Sequence, residues 1–173
     1  MFDIRKIQEQ VIYNAVKAES NAETADMVVN HAAEPNHLWV KNTMGRLEKR
    51  FDPASIRRIR INCQCGYGID EKLELVKEIL SETSTLEEFG NHVKAREAGL
   101  SYSNGALYLQ FPYCPCPMLE GVDRLETNTW CQCTIGYSKV LFEKAFGCPV
   151  YVELLKSIKM GDEICLMRID INK

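Results

Sequence analysis

The stretch LSYSNGALYLQFPY, residues 100–113, decides the fold class. It contains two short runs rich in apolar and aromatic residues that alternate with polar ones, as in strands with one buried face. Asn104 and Gly105 separate the runs, and this dipeptide is a strong signal for a two-residue β-hairpin. We therefore predict that an antiparallel sheet begins here, after a chain that is helical up to this point.

The residues before the hairpin carry apolar side chains at helical spacing. The pattern predicts helices over residues 3–18 and 22–33, a third from Pro35 to about Phe51, and a fourth that starts at Pro53, where proline suits a first helical turn. Further helices are predicted from Ile69 to Leu80, and after Thr85, which with Glu88 has the spacing of a capping box.

After the hairpin the sequence predicts one more helix, residues 134–146, and a second hairpin formed by PVYVELLKSI and EICLMRIDI. This order favours an α+β fold, with N-terminal helices followed by an antiparallel sheet of about four strands, arranged as two hairpins around a helix. We expect one domain over residues 1–173, with a helical part at 1–52 and a cysteine-rich core at 53–173.

Composition excludes several classes of partner. The chain has 173 residues and a formal net charge of -3, so nucleic acid is not an expected partner, and the basic run Arg57, Arg58 and Arg60 is interpreted as a solvated face. No apolar stretch reaches the length needed to span a bilayer, and the N-terminus lacks the apolar core of a secretory signal. We expect a cytoplasmic protein that does not bind membranes.

Cysteines are the chemically informative residues. Six of the eight form three Cys-x-Cys pairs: Cys63-Gln64-Cys65, Cys114-Pro115-Cys116 and Cys131-Gln132-Cys133. A cytoplasmic thiol pool disfavours structural disulfides, so metal binding or thiol reactivity gains weight. Proline after each cysteine of the middle pair favours extended backbone, with both sulfurs on one side. The other two pairs are predicted to precede helices, whose N-terminal dipoles lower thiol pKa values.

These sulfurs suggest a zinc site, because zinc prefers tetrahedral sulfur ligation. The first choice of ligands is Cys114, Cys116, Cys131 and Cys133, with Cys63 and Cys65 as additional candidates. Two alternatives remain: reduced cysteines packed as small hydrophobic residues, which suits Cys148 and Cys165, and a catalytic thiol.

A second set of candidates concerns a pocket and its chemistry. Aromatic residues around the cysteine loops and strands are candidates for an apolar pocket: Tyr102, Tyr108, Tyr113, Trp130 and Tyr137. Cys133 is the candidate nucleophile and Glu143 the candidate base. Of the three histidines, His92 is interpreted as a surface residue, and His31 and His37 flank the turn at Pro35.

Residues 133–165, CTIGYSKVLFEKAFGCPVYVELLKSIKMGDEIC, resemble the signature of 4-vinyl reductase domains. The segment FPYCPCP, residues 111–117, is similar to bacterial L-2-amino-thiazoline-4-carboxylic acid hydrolase-like proteins. The resemblance implies a ligand-binding fold of the nitric-oxide-signalling and Golgi-transport type. In the zinc set it implies, Cys133 and Cys165 match the two ends, Ser157 replaces the middle cysteine, and Glu153 is one residue out of register.

Three functional hypotheses follow. The first is a small-molecule-binding sensor or carrier module with a cysteine-rich thiolate site that holds zinc. The second is a hydrolase of a small cyclic amidine-like substrate, acting on a C–N or C–S bond, and the third is a redox-responsive thiol protein. The amphipathic residues 1–33 also allow a homodimer.

Overall fold

The computed structural model describes residues 3–172, and its elements follow the predicted order of helices, hairpin, helix and paired strands. The helices of the described chain are α1 (Ile4–Glu19), α2 (Ala22–Val29), α3 (Asn36–Glu48), α4 (Pro53–Ile61), α5 (Ile69–Glu82), α6 (Leu86–Asn91), α7 (Val93–Glu97) and α8 (Cys133–Phe146). The strands are β1 (Leu100–Ser103), β2 (Ala106–Phe111), β3 (Val150–Lys156) and β4 (Cys165–Ile171). The mixed helical and antiparallel architecture confirms the predicted α+β class.

The chain divides into two compact units, each assembled from separate segments. Of the described residues, the first unit contains 3–65, 115–136 and 159–161, and the second contains 66–114, 137–158 and 162–172. The division does not follow the boundary expected after residue 52, because α4 packs with α1 and α3 in the first unit. Two of the three Cys-x-Cys pairs lie wholly in the first unit, and the middle pair is divided, with Cys114 in the second unit and Cys116 in the first.

Local capping explains where the helices of the first unit begin. The side chains of Asp3, Asn21 and Asp52 accept hydrogen bonds from the backbone N–H groups at the starts of α1, α2 and α4, and Pro53 occupies the first turn of α4 as predicted. The apolar faces of α1 and α3 contribute fully buried side chains to the core of this unit: Ile12, Val16, Trp39, Val40 and Leu47. Their burial from water provides the main stabilisation of this unit.

The sheet of the second unit has the strand order β1-β2-β4-β3, with every neighbouring pair antiparallel. Asn104 and Gly105 both have positive φ, as a two-residue type I′ turn requires, which confirms the first hairpin. Leu107, Ile169 and Val152 lie side by side across three strands and are buried, so one face of the sheet belongs to the core.

The second pair of strands differs from the predicted hairpin. Strand β3 ends at Lys156 and β4 begins only at Cys165, so the connection is longer than the predicted turn Lys159–Asp162. The backbone N–H of Asp162 donates to the carbonyl oxygen of Ser157, and the Asp162 carboxylate accepts from the backbone N–H of Ser157, which closes this connection. The register shifts between Leu154 and Lys156, which marks a β-bulge.

Gly136 permits a close backbone contact in the first unit. A Cβ atom at this position would overlap the carbonyl oxygen of Ile61, the last residue of α4. Only glycine allows the first turns of α8 to approach the end of α4 this closely. Gly45, in α3, is also a helical glycine, but a Cβ atom there would meet nothing within 4 Å.

These two glycines give a matched prediction for stability. We expect Gly136→Ala to lower the free energy of unfolding by about 1–3 kcal/mol, because the methyl group forces α4 and α8 apart. Gly45→Ala should raise it by about 0.5–1 kcal/mol, since alanine is the better helix former. Chemical denaturation followed by circular dichroism measures both changes, and equal effects from the two variants would contradict the close contact at Gly136.

Candidate functional site

A buried arginine organises the cysteine-rich part of the first unit. Arg60 has no exposed surface, and its Nε and Nη2 donate hydrogen bonds to the carbonyl oxygens of Thr129, at 3.1 Å, and Trp130, at 2.7 Å. Its Nη1 is buried and has no hydrogen-bond partner. Among residues 3–172, no carboxylate forms an ion pair with it. A cation that lacks an anionic partner in the interior is unfavourable, so this position calls for an explanation.

The interpretation of the basic run as a solvated face is therefore wrong for Arg60. Arg58 is exposed and pairs with Glu19, but Arg60 lies on the buried face of α4 with Ile56 and Ile59. Residues three and four apart share a face of a helix, so the spacing of Arg60 from Ile56 indicated that Arg60 is buried.

Two tryptophans continue the site into the helical core. The guanidinium carbon of Arg60 lies 4.7 Å from the Trp130 ring centroid, and Trp130 packs edge-on against Trp39 at 5.9 Å. Arg5 covers Trp39 at 4.1 Å. Cation–aromatic contacts of this kind hold the guanidinium in place without neutralising its charge.

Four cysteine thiols lie around this arrangement. The indole Nε1 of Trp130 donates to the sulfur of Cys116 at 3.4 Å, and the sulfur of Cys63 lies 3.0 Å from the carbonyl oxygen of Ile59, to which its thiol donates. The thiols of Cys63, Cys116 and Cys131 are close enough to Cys133 to oppose its ionisation. The structure thus brings together Cys116, Cys131 and Cys133 of the first-choice set, with Cys63 from the additional candidates.

The ionisation of these thiols differs from the prediction. Burial is the main cause, and the neighbouring cysteines a smaller one, of a rise in the pKa of Cys133 to about 12, which the positive charge of Arg60 opposes. Burial also raises the pKa of Cys63, although the charge and proximity of Arg60 oppose the shift. Cys133 is the first residue of α8 as expected, but Cys63 follows the C-terminal end of α4. The predicted lowering of both pKa values is wrong, because desolvation outweighs the helix dipole.

The remaining predicted ligands are placed as follows. Cys114 belongs to the second unit, whereas Cys65 lies in the first unit just before the turn at Gly66. No group of three or more His, Cys, Asp or Glu side chains within the described part of the chain is positioned to hold a metal ion. The zinc site stays a prediction.

The glutamines inside two Cys-x-Cys pairs share an unexpected feature. The side-chain oxygens of Gln64 and Gln132 are buried and have no hydrogen-bond partner, while the Gln132 amide donates to Asn128 at 3.1 Å. Buried polar atoms are nearly always paired in folded proteins. Together with Arg60 Nη1, these oxygens add unpaired polar groups to the cysteine-rich segments.

The aromatic candidates Tyr102 and Tyr108 lie on opposite faces of the sheet. Tyr102 pairs across the hairpin with Leu107 and Tyr108 with Ser101, so successive strand positions put the two tyrosines on opposite faces of the sheet. Tyr113 is exposed, and Trp130 is buried in the core of the first unit. Tyr137 donates from its hydroxyl to the carbonyl oxygen of Tyr67 at 2.7 Å. The prediction of a shared aromatic pocket fails at the Tyr102–Tyr108 pair.

The candidate base and the histidines have structural contacts. Glu143 pairs with Lys139 and accepts from the backbone N–H of Val150, and the Lys139 hydrogen bond leads the causes that lower its pKa. His92 contacts Glu82, and as the N-cap of α7 it accepts from the backbone N–H of Lys94 in the first turn of that helix.

The other residues singled out in the sequence differ in burial and in their contacts. His31 lies 3.2 Å from the carbonyl oxygen of Met27, and His37 is exposed. Ser157 is buried in the β3–β4 connection, Glu153 is exposed on β3, and Cys165 is buried in β4 as expected. Cys148 is only half-buried.

Comparison with known proteins gives one positive result. A model described as "Family of unknown function (DUF6144)" matches residues 1–173. The chain belongs to the DUF6144 family. No curated protein and no solved structure matches it. The resemblance to 4-vinyl reductase domains and to the hydrolase-like proteins stays a prediction, and within the described residues no helix has the length and apolar character needed to cross a membrane.

The raised pKa of Cys133 predicts slow alkylation. In metal-free, reduced protein at pH 7.5, we expect iodoacetamide to label Cys133 at least about a hundredfold more slowly than the half-buried Cys148, because thiolate is the reacting form. Peptide mass spectrometry over time gives both rates, and denatured protein is the control in which the rates converge. A Cys133 rate in the folded protein that equals that of Cys148 would contradict the raised pKa.

The lowered pKa of Glu143 predicts a small pH-dependent stability. A carboxylate whose pKa falls on folding stabilises the protein above its unfolded pKa, near 4.5, and loses this effect as the pH drops through the folded value. Glu143→Gln should cost at most about 0.5 kcal/mol at pH 7, since the Lys139 pair is partly exposed, and nothing at low pH. Thermal unfolding across pH 2–7 measures the difference, with the exposed Glu126→Gln as control, and a constant difference would refute the charge effect.

Proposed function

We propose that this protein binds zinc through thiolates of its first unit, and that the metal-bound unit serves as a binding module. One observation carries the proposal: Cys63, Cys116, Cys131 and Cys133 gather in the first unit, around a buried region that also contains Arg60. These sulfurs come from three separate segments of the chain, which only the fold brings together.

The chemistry of the donor set fits zinc. Four cysteine sulfurs are the number and type of donor found in structural zinc sites, and soft ligands favour this metal over magnesium or calcium. In the described residues no three of these side chains are placed to hold a metal ion, so zinc binding requires them to rearrange. The Trp130 N–H that donates to Cys116 is the kind of outer hydrogen bond that orients a ligating sulfur. Zinc would join these segments and act as a Lewis acid toward its ligands when bound. The chain itself supplies the orientation of Cys116 and the exclusion of water around Cys63.

A binding module in the cytoplasm, acting as a sensor or carrier of a small molecule, remains the broader form of the proposal. The hydrolase alternative has weaker support, because it needs a nucleophile and a base. Cys133 has a raised pKa and Glu143 a lowered one, so neither is poised for that role near neutral pH. The redox alternative meets the same difficulty at Cys63 and Cys133, since thiolate is the form that reacts with oxidants.

Elemental analysis tests the proposal directly. Protein purified under reducing conditions should contain about one zinc per chain, and a chelator should unmask the ligating thiols to a thiol reagent. Cys133→Ser and Cys116→Ser should lose the metal and lower the melting temperature. Cys148→Ser is the matched control, because Cys148 is half-buried in the second unit, and it should keep the zinc content of the wild type.

Two results would contradict zinc binding. The first is metal-free protein in which every thiol reacts without a chelator, even after zinc is added. The second is zinc that is retained in Cys133→Ser and Cys116→Ser but lost in Cys148→Ser, which would move the site out of the first unit.

A further inference from the structure

We propose that the outer edge of β3 binds an extended peptide segment of another protein, in which a basic residue lies between two apolar ones in the order apolar-x-basic-x-apolar. The strand order β1-β2-β4-β3 makes β1 and β3 the edges of the sheet. Strand β1 has four residues and packs against α6 and α7, whereas β3 has seven, Val150–Lys156. This edge belongs to the second unit, so the proposal does not depend on the zinc binding proposed for the first.

The backbone groups of β3 point alternately toward its neighbour β4 and away from the sheet. The N–H of Asn172 donates to the carbonyl oxygen of Pro149 at 3.2 Å, so Pro149 faces β4. In an antiparallel ladder every second residue is bonded to the neighbouring strand, which places the N–H and C=O groups of Val150, Val152 and Leu154 on the outer edge. Outward groups of this kind are a template for another strand.

Two features limit the open edge to the middle of β3. At one end the N–H of Val150 already donates to the side chain of Glu143 at 3.2 Å, and at the other the register shifts between Leu154 and Lys156. Within the described chain, the outward groups of Val152 and Leu154 have no backbone partner. These two residues therefore define where a partner strand pairs.

The exposed side chains of the same segment form a short recognition pattern. Tyr151 and Leu155 are 52% and 44% exposed, and the exposed Glu153 lies between them. Arg168 lies opposite Glu153 on β4 but forms its ion pair with Asp170, at 3.0 Å. Glu153 itself forms no ion pair with any residue that the structure describes. The edge thus offers one carboxylate between two apolar side chains.

Charge complementarity selects the occupant of this edge. A strand that pairs antiparallel with Val152 and Leu154 places its central residue directly opposite Glu153, in a non-hydrogen-bonded pair whose side chains are close. A basic residue is attracted there, and the positions two residues away on each side face Tyr151 and Leu155, where apolar residues fit. A second copy of β3 in this register would put Glu153 opposite itself, and like charges in that position are destabilising.

The charge of the whole second unit favours the same kind of partner. Acidic residues outnumber basic ones by 13 to 8 among its described residues. A surface with this excess attracts a cationic segment from a distance and repels another copy of the same unit.

Titration of isotope-labelled protein with a synthetic peptide, followed by NMR, tests the proposal. The probe is the acetylated and amidated peptide Gly-Val-Thr-Lys-Thr-Val-Gly, and its binding should shift the backbone amide signals of Val152 and Leu154. The same peptide with Glu in place of Lys should bind about three- to tenfold more weakly. Methylation of both threonine backbone nitrogens removes the donors to β3 and should abolish binding.

Variants of Glu153 locate the contact. Glu153→Gln should weaken binding of the Lys peptide about three- to tenfold, because the charge pair is lost. Glu153→Lys should reverse the preference, so that the Glu peptide binds more tightly than the Lys peptide. Glu87→Gln and Glu87→Lys are the matched controls, because Glu87 is an exposed carboxylate of α6 in the same unit, and both should bind like the wild type.

The outcomes decide for or against this edge. Binding of the Lys peptide that is lost on N-methylation and reversed by Glu153→Lys supports the proposal. Unchanged amide signals of Val152 and Leu154 at about 5 mM peptide, a concentration that reveals even a millimolar dissociation constant, refute it. Equal binding of the Lys and Glu peptides refutes the choice of partner. A dimer in analytical ultracentrifugation whose formation shifts the same two amide signals also refutes it, because the occupant is then a second copy. Zinc content enters none of these measurements, so the two proposals fail separately.

Discussion

The structure of the first unit depends on the buried positive charge of Arg60, which has no carboxylate partner among the described residues. Arg60 lies at the end of α4, and its guanidinium reaches the backbone of Thr129 and Trp130, about seventy residues away along the chain. Glu48 of α3 accepts from the hydroxyls of Thr127 and Thr129, at 2.7 and 2.9 Å, so the same loop is held from a second helix. The cysteine segment is thus positioned by polar side chains rather than by regular secondary structure, and a buried network of this kind specifies one arrangement.

The same burial that hides Arg60 controls the chemistry of the cysteines. A helix N-terminus or a nearby cation favours thiolate, but removal of a thiol from water disfavours its charged form by up to several pKa units. At Cys63 and Cys133 burial is the larger effect, so these thiols are protonated near neutral pH in the metal-free chain. Such sulfurs are protected from alkylation and oxidation, because thiolate is the form that reacts.

The sequence predicted those features that rest on local patterns. Alternation and Asn104-Gly105 predicted the hairpin, and Thr85 with Glu88 predicted the capping box of α6, which the structure confirms. The burial of Arg60 was not predicted, because an arginine in a run of basic residues is expected to be exposed to solvent. Its spacing from the apolar residues of α4, however, places it on the buried face of the helix. The division into two units depends on contacts between distant segments, which no local pattern contains. The placement of Tyr102 and Tyr108 on opposite faces of the sheet, by contrast, follows from the strand register that a two-residue turn imposes.

The motif Cys-Gln-Cys occurs twice in the chain, each time with Gly-Tyr shortly after it. The structure explains this similarity without a duplicated domain. The first copy follows α4, and the second opens α8. Cys133 and Gly136 are three residues apart in α8 and share a face of the helix, and Gly136 lies against the carbonyl oxygen of Ile61. This contact turns the face that bears Cys133 toward the end of α4, where Cys63 follows Ile61 by two residues. Glycine is thus required beside the second pair because it lets the two pairs approach each other. The tyrosine that follows it donates to the carbonyl oxygen of Tyr67, within the second unit.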